Sequence, residues 1–224
     1  MKLFMSFWGI FFGISIVFFS CATTKPVNTN MVADVDPLEL GSVTIAFDKL
    51  FSSALEQKNV ALVFEPRYNR VYLQFKYQTV TYRQYWDASG REQFIAAVKH
   101  YHQDYDARTL IAKPSKFRPT YGAYGALNST TEWGQFSFSI NARAHPRLEL
   151  GYLFKKDNPY FTVLQREAPG DAGNHTSLRI ILYFTRAQAD DLARFFDQDY
   201  LLAFLDEQGI SRTSNTVVAD EYNN

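Results

Sequence analysis

Hydrophobic and polar side chains alternate along much of the chain's second half, and a period of two predicts half-buried strands. Phe136, Phe138 and Ile140 alternate with Ser137, Ser139 and Asn141, and Leu148, Leu150, Tyr152 and Phe154 alternate with Glu149, Gly151 and Lys155. Lys156-Asp157-Asn158-Pro159 reads as a turn, after which residues 160–166 pair back. Leu178, Ile180, Leu182 and Phe184 form the inward row of a last strand, beyond a loop at 169–174. Nearer the start, Val71, Leu73, Phe75 and Tyr77 alternate inside a run, 70–86, long enough to need a bend or a second strand near Thr79. Residues 60–64 read as a short strand and 120–127 as a Gly/Ala-rich one; 128–132 then turn the chain into a strand over 133–143.

Three stretches carry the helical period instead. Val43, Phe47, Leu50, Phe51, Ala54 and Leu55 recur every three or four residues after Ser42, which predicts a helix ending at Asn59. Ser89 and Glu92 form a capping-box pair ahead of Phe94, Ala97, Val98, Tyr101 and Tyr105, with the end near Asp106. Thr185 and Gln188 form another before Leu192, Phe195 and Phe196, and residues 200–205 read as a separate helical turn closed by Gly209. Strands that group together with helices between the groups define an α+β domain. The expectation is a largely antiparallel sheet of about six or seven strands packed with about three helices.

Composition then divides the chain. Residues 3–19 are almost wholly apolar behind Met1-Lys2, and no charge appears from Leu3 to Thr24, which is the layout of a secretory signal. Residues 1–20 are therefore expected to direct export, 21–40 to serve as a tether, 41–210 to fold as one α+β domain, and 211–224 to form a polar, disordered tail. Lysine plus arginine equals aspartate plus glutamate at 23 each, so no bulk charge favours nucleic acid as a partner.

Ser20-Cys21, a small residue before the only cysteine, closes the apolar segment. In this the chain resembles bacterial lipoproteins, although Phe18-Phe19 stand where that family prefers an aliphatic and then a small residue. The resemblance covers the first two dozen residues. It implies a diacylglycerol on Cys21, a membrane held through that lipid, and a place in the cell envelope. Cleavage after small residues by an ordinary signal peptidase, or retention of the segment as an anchor, are the other outcomes of the same pattern.

Linear signatures of chemistry are sparse. His100 and His102 lie two apart on a helix and face apart, while each has an aspartate four residues on, Asp104 and Asp106. His145 and His175 fall in connections. No nucleophile elbow, P-loop, dinucleotide fingerprint or calcium loop occurs, so no catalytic residue, metal ligand or cofactor is assigned. Residues 108–133 interleave Lys116 and Arg118 with Tyr121, Tyr124 and Trp133, and cations among aromatics suit contact with an envelope protein, a lipid headgroup or a glycan. The expectation is a tethered binding protein. Its rivals are a carrier of lipid or another apolar ligand, with Phe75, Phe136, Phe138 and Phe154 lining a cavity, and a hydrolase in which His100, His145 or His175 meets carboxylates in one cleft.

Overall fold

The computed structural model describes residues 31–49, 54–111, 117, 119–125, 129–135, 142–173 and 175–212. Strands β1 (Leu38–Asp48) and β2 (Leu55–Glu65) form a hairpin, and a 3-10 turn at Pro66–Tyr68 leads to β3 (Arg70–Tyr77), β4 (Val80–Trp86) and helix α1 (Ala88–Asp106). Three short strands follow, β5 (Gly122–Tyr124), β6 (Thr130–Gln135) and β7 (Ala142–Ala144). A second hairpin joins β8 (Leu148–Lys155) to β9 (Asn158–Gln165), and β10 (Ala168–Pro169) pairs with β11 (Thr176–Ser177) in a small ribbon. Strand β12 (Ile180–Phe184), helix α2 (Arg186–Phe196) and helix α3 (Gln198–Glu207) complete the domain.

Among the described residues, ten strands form one antiparallel sheet in the order β5-β8-β9-β12-β1-β2-β3-β4-β6-β7. The α+β class expected from the pattern is the one found, with more strands than about six or seven. The sheet is a curled half-barrel. Strands β4 and β9 are five steps apart in the order, which in a flat sheet would separate them by about 24 Å. Yet Gln84 Nε2 on β4 donates to Gln165 Oε1 on β9 at 3.0 Å, and Thr131 Oγ1 on β6 donates to the same oxygen at 2.9 Å.

Val43, Ile45 and Phe47, Val60, Leu62 and Phe64, Val71, Leu73 and Phe75, and Ile180, Leu182 and Phe184 are buried in the core that fills the curl. Helices α1 and α2 plug one end of it. Phe94 of α1 meets Trp86, Phe161, Phe184 and Phe196 with ring centroids 5.7, 5.4, 6.0 and 5.0 Å away, mostly edge to face. Arg91, one turn earlier, is fully buried. Its guanidinium donates to Phe196 O at 2.9 Å, Asn69 Oδ1 at 2.9 Å and Gln198 Oε1 at 2.8 Å, which ties α1 to the turn before β3 and to the break between α2 and α3. Burial pulls its pKa down to about 10, so it stays charged at neutral pH.

The helix expected over 42–59 is instead the β1–β2 hairpin, with Val43 paired to Val60 and Phe47 to Glu56. Val43 and Phe47 are four apart, which satisfies either period. The buried Ile45 between them, and the β-branched run Val43-Thr44-Ile45, carry the strand. Leu50 and Phe51 lie outside the described residues. The cap of α1 is Asp87, whose Oδ1 accepts from Gly90 N at 2.8 Å, rather than Ser89, whose hydroxyl sits within the helix and accepts from Gln93 Nε2 at 3.3 Å. The cap of α2 is the expected box, with Thr185 and Gln188 each satisfying the other's backbone amide. The bend near Thr79 is the β3–β4 turn, and 200–205 lie inside α3. Leu178 falls two residues before β12 and is exposed, so the inward row begins at Ile180. The alternating row at 136–140, the signal segment and the tail beyond Arg212 lie outside the described residues. Among the described residues, no helix is long and apolar enough to cross a membrane.

Gly90 is required where the first turn of α1 meets β5, because a Cβ there would come 2.8 Å from the ring of Tyr124. Gly90→Ala should therefore destabilise the fold by about 1–3 kcal/mol in urea unfolding. An unchanged midpoint would contradict this packing.

Candidate functional site

Strand register builds a row of rings on the concave face. Phe75 on β3 lies opposite Tyr82 on β4, Tyr82 opposite Trp133 on β6, and Trp133 opposite Ala142 on β7. The Phe75 and Tyr82 rings are 5.8 Å apart and inclined by 16°; the Tyr82 and Trp133 rings are 6.5 Å apart and inclined by 20°. Phe47 continues the row on the other side, 5.2 Å from Phe75. Where the row reaches β7, Ala142 offers only a methyl group, and a pocket of about 350 Å³ lies there. Tyr82, Trp133 and Val80 form one wall, with Gly134 and Ala142 beside them. His175, Thr176 and Leu178 close the other side.

The ribbon that brings His175 and Thr176 to the pocket is fixed at both ends. Gly170 N donates to His175 O at 2.7 Å and Asp171 N to Arg143 O at 2.8 Å, which docks the ribbon on the β7 edge. A Cβ on Gly170 would meet His175 O at 2.9 Å, so this close approach needs glycine. Gln165 Nε2 donates to Leu178 O at 3.1 Å, so the glutamine that closes the sheet also holds the pocket's far side. Tyr82 is 1% exposed, and none of the described residues hydrogen-bonds its hydroxyl. Burial raises its pKa to about 12.

The residues singled out from sequence do not converge on one surface. Trp133 is half-buried in the pocket wall. Tyr121 and Tyr124 lie at the helix end of the half-barrel. Tyr121 donates to Asp104 Oδ2 at 2.9 Å and packs against Phe161, while Tyr124 is 1% exposed with its ring 5.8 Å from Trp86 and nearly parallel to it. Trp86 is four residues along β4 from Tyr82, so Tyr124 and Trp133 sit at opposite ends of that strand. Tyr124 belongs to the core. Lys116, Arg118 and Cys21 lie outside the described residues, and Phe117 between the first two packs on a second apolar cluster with Leu164, Ile181 and Tyr183.

The histidines are also dispersed. The expected pairs along α1 do not form: Asp104 accepts from Tyr121, Asp106 pairs with Arg186 at 3.0 Å, and His102 Nε2 lies 3.5 Å from Asp190. His145 Nδ1 donates to Ser129 O at 2.9 Å while Nε2 is 3.6 Å from Asp171. The Ser129 hydroxyl is turned to Pro146 O, so this trio lacks the serine-to-imidazole hydrogen bond that activates a nucleophile. Among the described residues, no group of three metal-ligating side chains converges. Among the described residues this pocket offers a concave site for a ligand; of its lining, Trp133 and His175 were singled out from sequence, and Tyr82 and Ala142 were not.

An antiparallel half-barrel plugged at one end by helices and opening at the other on a ring-lined pocket is the class of structure defined here. The profile of the family described as "Uncharacterised Treponema protein" matches residues 37–203, and the chain belongs to that family. An "Uncharacterized protein" of Treponema pallidum (strain Nichols) is 29% identical over 187 residues, covering 82% of this chain. The chain spans 66% of that relative's length. No solved structure matches.

Five buried tyrosines, Tyr82, Tyr85, Tyr101, Tyr124 and Tyr183, and the partly buried Tyr121 are all held above the ordinary phenol range, chiefly by burial. A pKa raised in the folded state means stability that is intact below pH ~10 and lost as pH rises through the folded values. Absorbance at 295 nm should show these phenols ionising only together with unfolding, near or above pH 12. Complete ionisation around pH 10 with near-UV dichroism intact would contradict their burial.

Proposed function

We propose that this is an exported cell-envelope protein, tethered to a membrane by lipid on Cys21, whose half-barrel binds a small, largely apolar ligand and does not transform it. The pocket carries this reading. At about 350 Å³ it is at the lower end of the usual range for ligand sites, apolar with a few polar groups at the side. The apolar run 3–19 and the lone cysteine behind Ser20 support the anchor.

The path of the N-terminal segment gives the tethered domain a direction. Val32 N donates to Pro66 O at 2.9 Å, Ala33 is fully buried, and Arg67 pairs with Asp34 at 2.6 Å and Asp36 at 3.2 Å. The packed domain thus reaches back to about Val32, and a leash from Cys21 spans about 35 Å when fully extended. The leash joins at the Pro66–Tyr68 turn, whereas Val80 and the pocket lie at the far end of β3, about 26 Å along that strand of eight residues. A leash longer than that distance lets the pocket, at the end away from the attachment point, reach the aqueous side or a facing partner.

A carrier of whole lipids fits less well. Phe75 is packed between Phe47 and Tyr82, and Phe154 lies beside Tyr152, so these two do not line a common void. Phe136 and Phe138 lie outside the described residues.

Cys21→Ala should abolish incorporation of labelled palmitate and shift the protein out of the membrane fraction. Undiminished labelling would remove the lipid anchor from this account.

A further inference from the structure

We propose that the pocket's ligand is a small aromatic ring carrying one hydrogen-bonding group, and that the ring stacks on Trp133 as the next member of the row Phe47, Phe75, Tyr82, Trp133. This rests on the reading of the pocket as a binding site. The three rings from Phe75 to Trp133 are inclined to their neighbours by no more than 20° and spaced 5.8 and 6.5 Å apart, one per strand. Register places Ala142 at the following rung. A methyl there leaves the outer face of the Trp133 indole open to the pocket, at the spacing that offset aromatic pairs prefer. Val80 and Leu178 line the same pocket, so the edges of a flat ring stacked there would meet apolar side chains, where a saturated ring would make poorer contact with the indole face.

The polar group has its partners on the same walls. Tyr82 lines the pocket and is 1% exposed, and its hydroxyl has no hydrogen bond to any described residue. A ligand group reaching it would gain a hydrogen bond where burial makes an unmade one costly. His175 and Thr176 lie opposite, at the exposed side of the pocket, and offer a second, water-accessible set of polar atoms. Ligands with neither ring nor polar group would use only half of what the site presents.

The test uses the full chain in lipid nanodiscs and 4-fluorobenzamide as the probe, read by broadening of its fluorine resonance, with an affinity roughly millimolar for so small a fragment. Ala142→Phe fills the next rung with the protein's own ring, and Trp133→Leu removes the platform. Each should weaken binding at least tenfold while thermal melting shows the domain still folded. Benzamide should compete at least tenfold better than cyclohexanecarboxamide, which has the same amide on a saturated ring. Tyr82→Phe, which keeps the row intact, should weaken 4-fluorobenzamide several-fold and leave fluorobenzene unaffected. Equal competition by cyclohexanecarboxamide, with Ala142→Phe still blocking both, would overturn the aromatic assignment and leave the pocket as a binding site. Binding of neither amide that responds to Ala142→Phe or Trp133→Leu would overturn the pocket reading as well.

Discussion

A hydrogen bond between two buried glutamine side chains holds this fold in its curled form. Gln84 and Gln165 are 81 residues apart in sequence and five strands apart in the sheet, and both are fully buried. Their polar atoms complete one another's needs: Trp86 Nε1 donates to Gln84 Oε1 at 3.2 Å, Thr131 to Gln165 Oε1, and Gln165 Nε2 to the carbonyl of Leu178. In a core of this kind a broken member leaves unpaired amides behind, at about 1–3 kcal/mol for each group. Alternatives with a flatter sheet or a shifted register would leave the same groups unpaired, so the network specifies one curl as well as stabilising it. Because Leu178 belongs to both network and pocket, the closure of the sheet and the shape of the site are one structural event.

The two ends of the half-barrel then take different roles. At one end, Phe94 sits among four rings and Arg91 is held by the turn before β3 and by the break between α2 and α3, so the helices are locked to the strands by both apolar and directed contacts. Among the described residues the other end has no helix over it, and the row of rings stops at Ala142. The convex face carries its own ties: Tyr85 donates to Glu132 at 2.8 Å, Arg143 donates to the same carboxylate at 2.9 Å, and the Arg70 guanidinium lies 4.2 Å from the Tyr85 ring. These contacts stiffen β3, β4, β6 and β7, the strands that form the pocket's wall.

Much of the fold was legible in the chain because period two is a local property. The β3–β4 and β8–β9 pairs, the second cap and the closing helix all follow from residues within ten positions of one another. The hairpin β1–β2 was not, since Val43 and Phe47 serve a helix and a strand equally, and the β-branched run at 43–45 decides for the strand only together with its pairing to β2. The pocket was less legible still. Tyr82, Trp133, Ala142 and His175 come from four separate elements, and what joins them is the register of β4, β6 and β7 and the docking of a ribbon. Gln84 and Gln165 look like ordinary surface residues until the curl places them face to face. Tyr124 shows the opposite error, a residue with the chemistry of a contact that serves as the floor under Gly90.

The most direct measurement of this account is a double-mutant cycle on the closing pair, with Gln84→Leu, Gln165→Leu and both together followed by urea unfolding. If the pair closes the sheet, Gln165→Leu strands the Gln84 amide and Gln84→Leu removes one of the two donors to Gln165 Oε1, so the double variant should lose less than the sum of the singles by more than about 1 kcal/mol. Strict additivity of the two would mean that the glutamines do not meet, and the curled half-barrel with its pocket would not stand.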